Sequence, residues 1–306
     1  MIKGDKKMDK VKAGVVGLGL KGWLYDEDPL RSKPESHVGA LVSNEDVDLV
    51  AVCDVDEEKL ERFNAVYPGV KTYKNFEDMM FKSRLDLLCV ASPVQEHEKH
   101  VRLACRYDYV KVILVEKPIA GTLEEADLML YSCKQYNVKL AVNHQRRWDK
   151  TWVETRNILD KKAGKVFKVV GFCSGDPLEA GVHMADLFNW FGPEAEQVYV
   201  DLEVETPYNP YLIFELHVFG EKGRVRIFDN GRCVEVEEVA SSGRYGGVKE
   251  LNSGYLTRSG PPGTPMVAVI RDMVECVRTS KQPECSGNDG LKALIPSLVW
   301  KEGVTN

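Results

Sequence analysis

The stretch from Val11 to Gly22 limits the fold more than any other. A short apolar run, Ala13 to Val16, opens into Gly17, Gly19 and Gly22. That is the spacing of a strand turning into a dinucleotide-binding helix. Gly17 allows the tight turn, Gly19 lets a pyrophosphate approach the backbone, and Gly22 lets the following helix close onto the sheet. Leu18 lends its backbone to the same turn. Free amides at the helix N-terminus would hold the phosphates.

Alone, the pattern also fits an ordinary turn in an α/β domain, since the chain has 25 glycines. The second strand strengthens it. Leu49 to Cys53 is continuously apolar and ends at Asp54. An acid there accepts hydrogen bonds from ribose hydroxyls and repels a ribose phosphate, so NAD is expected in preference to NADP. In the competing reading Asp54 caps the next helix, whose first turn holds Asp56, Glu57 and Glu58. Asp54 also lies farther past Gly22 than the roughly 20 residues usual in such a unit. Tyr25 to Ser36, charged and carrying Pro29 and Pro34, reads as an inserted surface loop. The main body of the helix then falls at His37 to Val42.

The strand-helix rhythm runs on to Asn143. Strands are expected within Tyr67 to Tyr73 and at Leu85 to Ala91, Lys111 to Val115 and Lys139 to Val142. Helices are expected at Asn75 to Phe81, Glu96 to Arg106 and Leu123 to Gln135. The result is a mostly parallel sheet covered by helices. Its ligand edge collects Gly17, Asp54, Ser92, Glu116 and Asn143.

Beyond Asn143 the rhythm changes. A helix at Thr151 to Leu159, a strand at Lys165 to Cys173 and a helix at Met184 to Phe191 lead into alternating apolar and polar residues from Ala195 to Glu238. Hairpin turns are expected at Tyr208-Asn209-Pro210, Glu221-Lys222-Gly223 and Asp229-Asn230-Gly231. Ser241 to Thr264, polar and glycine-rich, reads as an irregular excursion. Helices at Met266 to Arg278 and Asp289 to Trp300 follow. The fold class is α/β: an N-terminal Rossmann domain, residues 1–143, and a C-terminal α+β domain, residues 144–306, on an open, mainly antiparallel sheet.

A length of 306 residues suits two domains. A net charge of −6 argues against a nucleic-acid surface. The nearest basic cluster, Gln145 to Trp148, is too short to be an electrostatic footprint. No run reaches the roughly 18 apolar residues of a membrane span. The first ten residues lack the apolar core of a signal peptide and read as a disordered lead-in. Eight cysteines without a CxxC pair read as reduced structural thiols of a cytoplasmic protein.

Lys117 ends a buried strand between an acid and a proline. A lysine at such a strand end can reach the ligand edge, orient a hydroxyl and stabilise its oxygen as the proton leaves. The alternative is a surface lysine starting a loop. His183 follows Glu179 by four positions and precedes Asp186 by three, so a helix would bring all three toward one face. That arrangement makes an acid/base patch in which a carboxylate fixes the imidazole tautomer. A solvated helix start with a capping histidine explains the same residues. No zinc spacing joins the scattered histidines, and no metal is expected.

Together these motifs resemble the Gfo/Idh/MocA family, which includes glucose-fructose oxidoreductase and inositol 2-dehydrogenase. The ordered set spans nearly the whole chain. It comprises Val16 to Gly22, His37, Asp54, Ala91-Ser92-Pro93 with His97, Glu116-Lys117-Pro118, Asn143 to Trp148, and Glu179 through His183 and Asp186 to Gly192. The resemblance implies an NAD(P)-dependent oxidoreductase moving hydride between nicotinamide and a secondary hydroxyl of a sugar, inositol or related polyol. It implies Lys117 and His183 as catalytic residues, aided by Glu179, and Asp54 as the ribose acid. Ser92, Pro93, His97 and Glu116 would line the cofactor cleft, and Lys117-Pro118 would be a cis peptide. Arg147 and Asp186 are further cleft candidates; the resemblance also implies that the second domain, residues 144–306, binds substrate and forms the interface of a homo-oligomer, dimer or tetramer.

Two departures leave the substrate open. Glu179 stands where many family dehydrogenases have aspartate, and the link from Lys165 to Glu179 and the tail after Asp289 look short. They keep two other readings in play: a non-catalytic NAD-binding regulatory or scaffold protein, and an NAD-dependent glycoside hydrolase.

Overall fold

The computed structural model describes residues 9–203, 212–258 and 264–304. The chain forms two compact units. One holds the residues up to Asn143 together with Thr264–Gly287, and the other holds the rest.

The first unit is built on a parallel sheet. Its strands are β1 (Val11–Val16), β2 (Val47–Cys53), β3 (Lys71–Tyr73), β4 (Leu87–Val90), β5 (Val112–Val115) and β6 (Lys139–Val142), in the order β3-β2-β1-β4-β5-β6. Every neighbouring pair is parallel. Each residue of β4 and β5 is buried, as expected for central strands covered on both faces. The helices are α1 (His37–Val42), α2 (Glu57–Val66), α3 (Phe76–Lys82), α4 (His97–Cys105) and α5 (Leu123–Gln135). Local sequence starts several of them. Ser36, Asp56, Asn75 and Thr122 each accept backbone amides at an N-cap, and Thr122 with Glu125 forms a capping box.

The second unit carries a mixed sheet of β7 (Val166–Ser174), β8 (Gln197–Glu203), β9 (Phe214–Gly220), β10 (Gly223–Phe228), β11 (Cys233–Ser241) and β12 (Lys249–Arg258). The order is β12-β11-β10-β9-β7-β8, antiparallel except between β7 and β8. Burial alternates along β9 and β10, so one face is core. Against it pack α6 (Lys150–Lys162) through Trp152 and Leu159, and α7 (Val182–Phe191) through Met184, Phe188 and Phe191. The turn at Asp229, Asn230 and Gly231 takes positive φ at all three positions, which these residue types tolerate.

Two expectations change. Helix α8 (Met266–Arg278) belongs with the first sheet rather than the second. Lys139 donates to the carbonyls of Cys276 and Thr279 at 2.7 and 2.6 Å, and Arg278 pairs with Asp46 at 3.0 Å. The expected irregular excursion from Ser241 contains β12. As an edge strand it pairs through its backbone on one side only, so its polar sequence shows no alternation. The insert after the glycines stands where the sequence placed it, with the helix body at His37–Val42. Trp23 and Leu24 both donate to Gly19 O, a 3-10 turn covers Leu24–Asp26, and α1 begins only at His37. The final helix, α9, runs Gly287–Val304 through Pro296. The expected Tyr208-Asn209-Pro210 turn and the first eight residues lie outside the described ones. No described helix is long and apolar enough to cross a membrane.

Candidate active site

The ends of β1, β2, β4 and β5 bring the expected residues of the first unit to one edge. Gly17 has a φ of +91°, and a Cβ there would stand 2.5 Å from Ala91 O and Ser92 N. A Cβ on Gly22 would lie 1.9 Å from Gly17 O, whereas one on Gly19 would meet open space. The turn is therefore tight underneath and open above, as a pyrophosphate requires. Leu18 is buried and donates its amide to Asp54 Oδ2 at 2.7 Å. Asp54 Oδ1 accepts from Asp56 N at 2.9 Å. The helix cap is Asp56, which accepts from Glu58 and Lys59, so Asp54 serves the glycine turn instead.

Beside the turn is a cavity of about 450 Å³, lined among others by Gly17, Asp54, Val55, Phe76, Ser92 and Pro93. Its donor set suits an adenine nucleotide: an apolar slot, a carboxylate for hydroxyls and an open amide turn. Cys53 also lines it, with a thiol pushed up to about 12 by burial and by Asp54. Ser92 Oγ lies 3.0 Å from His100 Nδ1, and burial brings that ring's pKa down to about 4. His100 is thus a neutral wall.

Glu116, Lys117 and Pro118 follow β5, and the Lys117-Pro118 peptide is cis. Lys117 is half-buried, but Glu116 and His97 are buried. His97 Nε2 lies 3.0 Å from Ser92 O, and Nδ1 lies 3.2 Å from both Pro118 O and Ile119 O. This histidine ties the Ser92 loop to the lysine loop from beneath, where the sequence reading had it lining the cleft. Glu116 also faces inward. Its Oε1 lies 2.8 Å from His37 Nε2 and accepts from Asn143 Nδ2 at 2.7 Å. Burial alone would raise the Glu116 carboxyl; His37, Lys21 and Asn143 reverse this and bring it to about 2.

In the second unit a single π turn, Pro177–Gly181, carries Glu179 and precedes α7. The regular four-residue helical relation expected between Glu179 and His183 is replaced by this wider turn. Glu179 is exposed and His183 half-buried. The His183 ring stands edge-on to that of His144, centroids 5.5 Å apart. Both oxygens of Asp186 accept from Arg147 Nε, at 3.0 and 3.1 Å, and its Oδ1 also from Nη2 at 2.8 Å. Arg147 lies 3.5 Å from Asp289 as well. Arg147 and Asp186 are buried, so this pair is an internal ion pair of the second unit. No group of His, Cys, Asp or Glu among the described residues could hold a metal.

Sequence reasoning placed Asn143 on the ligand edge and His37 and His144 in the family pattern, but gave none of the three a partner. Their polar side chains at strand ends or a helix start were the available signal, but their partners lie far away in sequence.

A six-stranded parallel sheet of this order, with a glycine turn and an acid at the end of β2, defines an NAD-binding Rossmann protein. Residues 11–144 match the model of GFO_IDH_MocA, the oxidoreductase family with an NAD-binding Rossmann fold. The match covers the first unit's parallel sheet, which is this oxidoreductase family's NAD-binding domain, and NAD is the cofactor such a domain takes. It is 23% identical to scyllo-inositol 2-dehydrogenase (NADP(+)) IolW of Bacillus subtilis over 53% of this chain, a match that spans only 40% of that relative. It is 22% identical to myo-inositol 2-dehydrogenase of Thermotoga maritima over 96% of both chains. The WlbA dehydrogenase from Bordetella pertussis, solved with NADH and UDP-GlcNAcA, has the same fold: TM-score 0.75, 17% identity, 97% of each chain covered.

Proposed function

We propose that the protein oxidises or forms a secondary hydroxyl of a sugar, inositol or related polyol, using NAD in preference to NADP. One observation carries this reading: the open glycine turn ends β1 and the Lys117 loop ends β5, with only β4 between them, at the same edge of one parallel sheet. A nucleotide and a proton-handling amine at one edge suit an alcohol dehydrogenation. The relatives named for inositol oxidation support the substrate class, and the Asp54 carboxylate supports NAD because it would repel a ribose phosphate.

Bound NAD supplies the hydride acceptor or donor. The protein handles the proton. Lys117 binds the hydroxyl oxygen and stabilises it as its proton leaves, and His183 takes or returns that proton. Glu179, on the turn before His183, orients or polarises one of these groups. The first unit serves the cofactor, and the second serves the substrate and a homo-oligomer of two or four copies. The half-buried outer face of the second sheet, with Phe172, His217 and Phe219, suits contact with another copy. Eight free, buried cysteines suit a reducing, cytoplasmic setting.

The test is a panel of inositols, sugars, nucleotide sugars and aryl glycosides with NAD and with NADP, read by absorbance of the reduced cofactor. NADH accumulation with one of the polyols or sugars is expected. Release of the aryl group without net NADH would replace the dehydrogenase by a glycoside hydrolase. NAD binding with no turnover on the whole panel would favour a regulatory protein.

A further inference from the structure

Helix α1 begins on the glycine turn. His37 N–H donates to Lys21 O at 2.9 Å and Val38 N–H to Gly22 O at 3.0 Å. The first side chain of the same helix then crosses to the end of β5, where the fully buried His37 ring meets Glu116. The residue after Glu116 is Lys117. One helix start therefore grips the cofactor turn with its backbone and the lysine loop with its ring.

The grip is hard to release. Glu116 is ionised and buried, and a buried carboxylate that loses a donor is strongly penalised. Its Oε1 accepts from His37 and Asn143 together. Among the described residues His37 Nδ1 has no hydrogen-bond partner, so the ring's polar contact is with Glu116 alone. Moving α1 drags Glu116, and with it the backbone entering Lys117.

We infer that His37 is a positioning residue that couples occupancy of the glycine turn to the order of the Lys117 loop. The functional meaning of this coupling rests on the reading of Lys117 as the proton-handling group. Such coupling is reciprocal: whatever orders the lysine loop also favours NAD on the turn.

Hydrogen exchange of the full chain with and without NAD tests this, because protection reports local opening segment by segment. In the native protein NAD should slow exchange over residues 18–24 and 116–122 together, with the same half-saturating concentration. His37→Phe keeps a ring but no donor. It should still bind NAD and protect 18–24, while protection of 116–122 falls about tenfold or more. His37→Gln restores a donor and should restore the second protection. The inference is overturned if NAD protects 116–122 equally well in His37→Phe. It is also overturned if the two native segments saturate at different NAD concentrations, a comparison that stands even where the phenylalanine variant fails to fold. No alcohol is present in these measurements. A panel yielding no NADH would therefore sink the proposed activity and leave the coupling intact.

Discussion

The backbone amide of Leu18 donates to the carboxylate of Asp54 at 2.7 Å, joining the glycine turn to the end of β2. Asp54 thus shapes the turn from one side while facing the nucleotide cavity from the other. Asp54→Asn retains an acceptor for Leu18 and removes the charge. NAD affinity should fall roughly tenfold or more, the worth of a charge-assisted hydrogen bond, and NADP should gain relative to NAD. Calorimetric titration with both nucleotides checks this, and an unchanged ratio would remove Asp54 from cofactor choice.

Gly22 leaves no room for a side chain, because the atoms in the way are backbone atoms of Gly17. Gly22→Ala should destabilise the first unit by about 1–3 kcal/mol, the usual cost of overpacking, and weaken NAD binding sharply. Urea unfolding and nucleotide titration read the two effects. Native affinity in this variant would mean that the turn is looser than described.

Lys117→Ala should lower turnover by ~100-fold or more, the lower range for a positioned proton-transfer group. Its effect on NAD affinity should be small. Steady-state rates on an accepted alcohol decide the matter, and near-native turnover would take Lys117 out of the chemistry.

Arg147 and Asp186 form a buried pair, and removing one partner strands the other charge. Arg147→Met should cost about 3–5 kcal/mol, and Arg147→Met with Asp186→Leu should recover part of that loss. Chemical denaturation of the single and double variants provides the comparison. A double variant less stable than the single would contradict the account.

His100 and His217 are held down to about 4, each chiefly by burial, with Arg226 and Arg224 adding to the effect on His217. The folded state favours the neutral rings, whose unfolded pKa is about 6.5. Their contribution is complete above about pH 6.5 and is lost as pH falls toward 4. The Glu116 contribution has its own range: it is present above the ordinary carboxyl value of 4.5 and is lost toward 2. Thermal melts between pH 8 and pH 4 should drop mainly in the lower part. A flat profile there would argue that the two imidazoles are not buried neutral.

Much of the fold could be read from local pattern. Buried parallel strands such as β4 and β5 are unbroken apolar runs, and Asp229-Asn230-Gly231 announces its turn. Helix α5 was legible to the residue because Thr122 and the apolar spacing agree. Strand β12 was not, since an edge strand is specified by its neighbour rather than by its own alternation. The assignment of α8 to the first sheet depends on contacts such as Lys139 with Thr279, which no local pattern records. Around the candidate site, the placement of Gly17, Asp54 and Lys117 at the sheet edge was legible because each follows a recognisable strand. The inward roles of Glu116 and His97 were not, because whether a strand-end side chain faces a ligand or the interior depends on partners far along the chain.

The Tyr25–Ser36 insert is closed at its neck. Asp26 accepts from the amides of Glu35 and Ser36, so the two ends of the loop are held together by one carboxylate, while Leu30 at its far side is 93% exposed. A loop fastened at its base can be lengthened at small entropic cost. Evolution, or an engineer grafting a peptide tag at residue 30, can therefore rewrite the outer part of this excursion without disturbing the helix start that His37 provides.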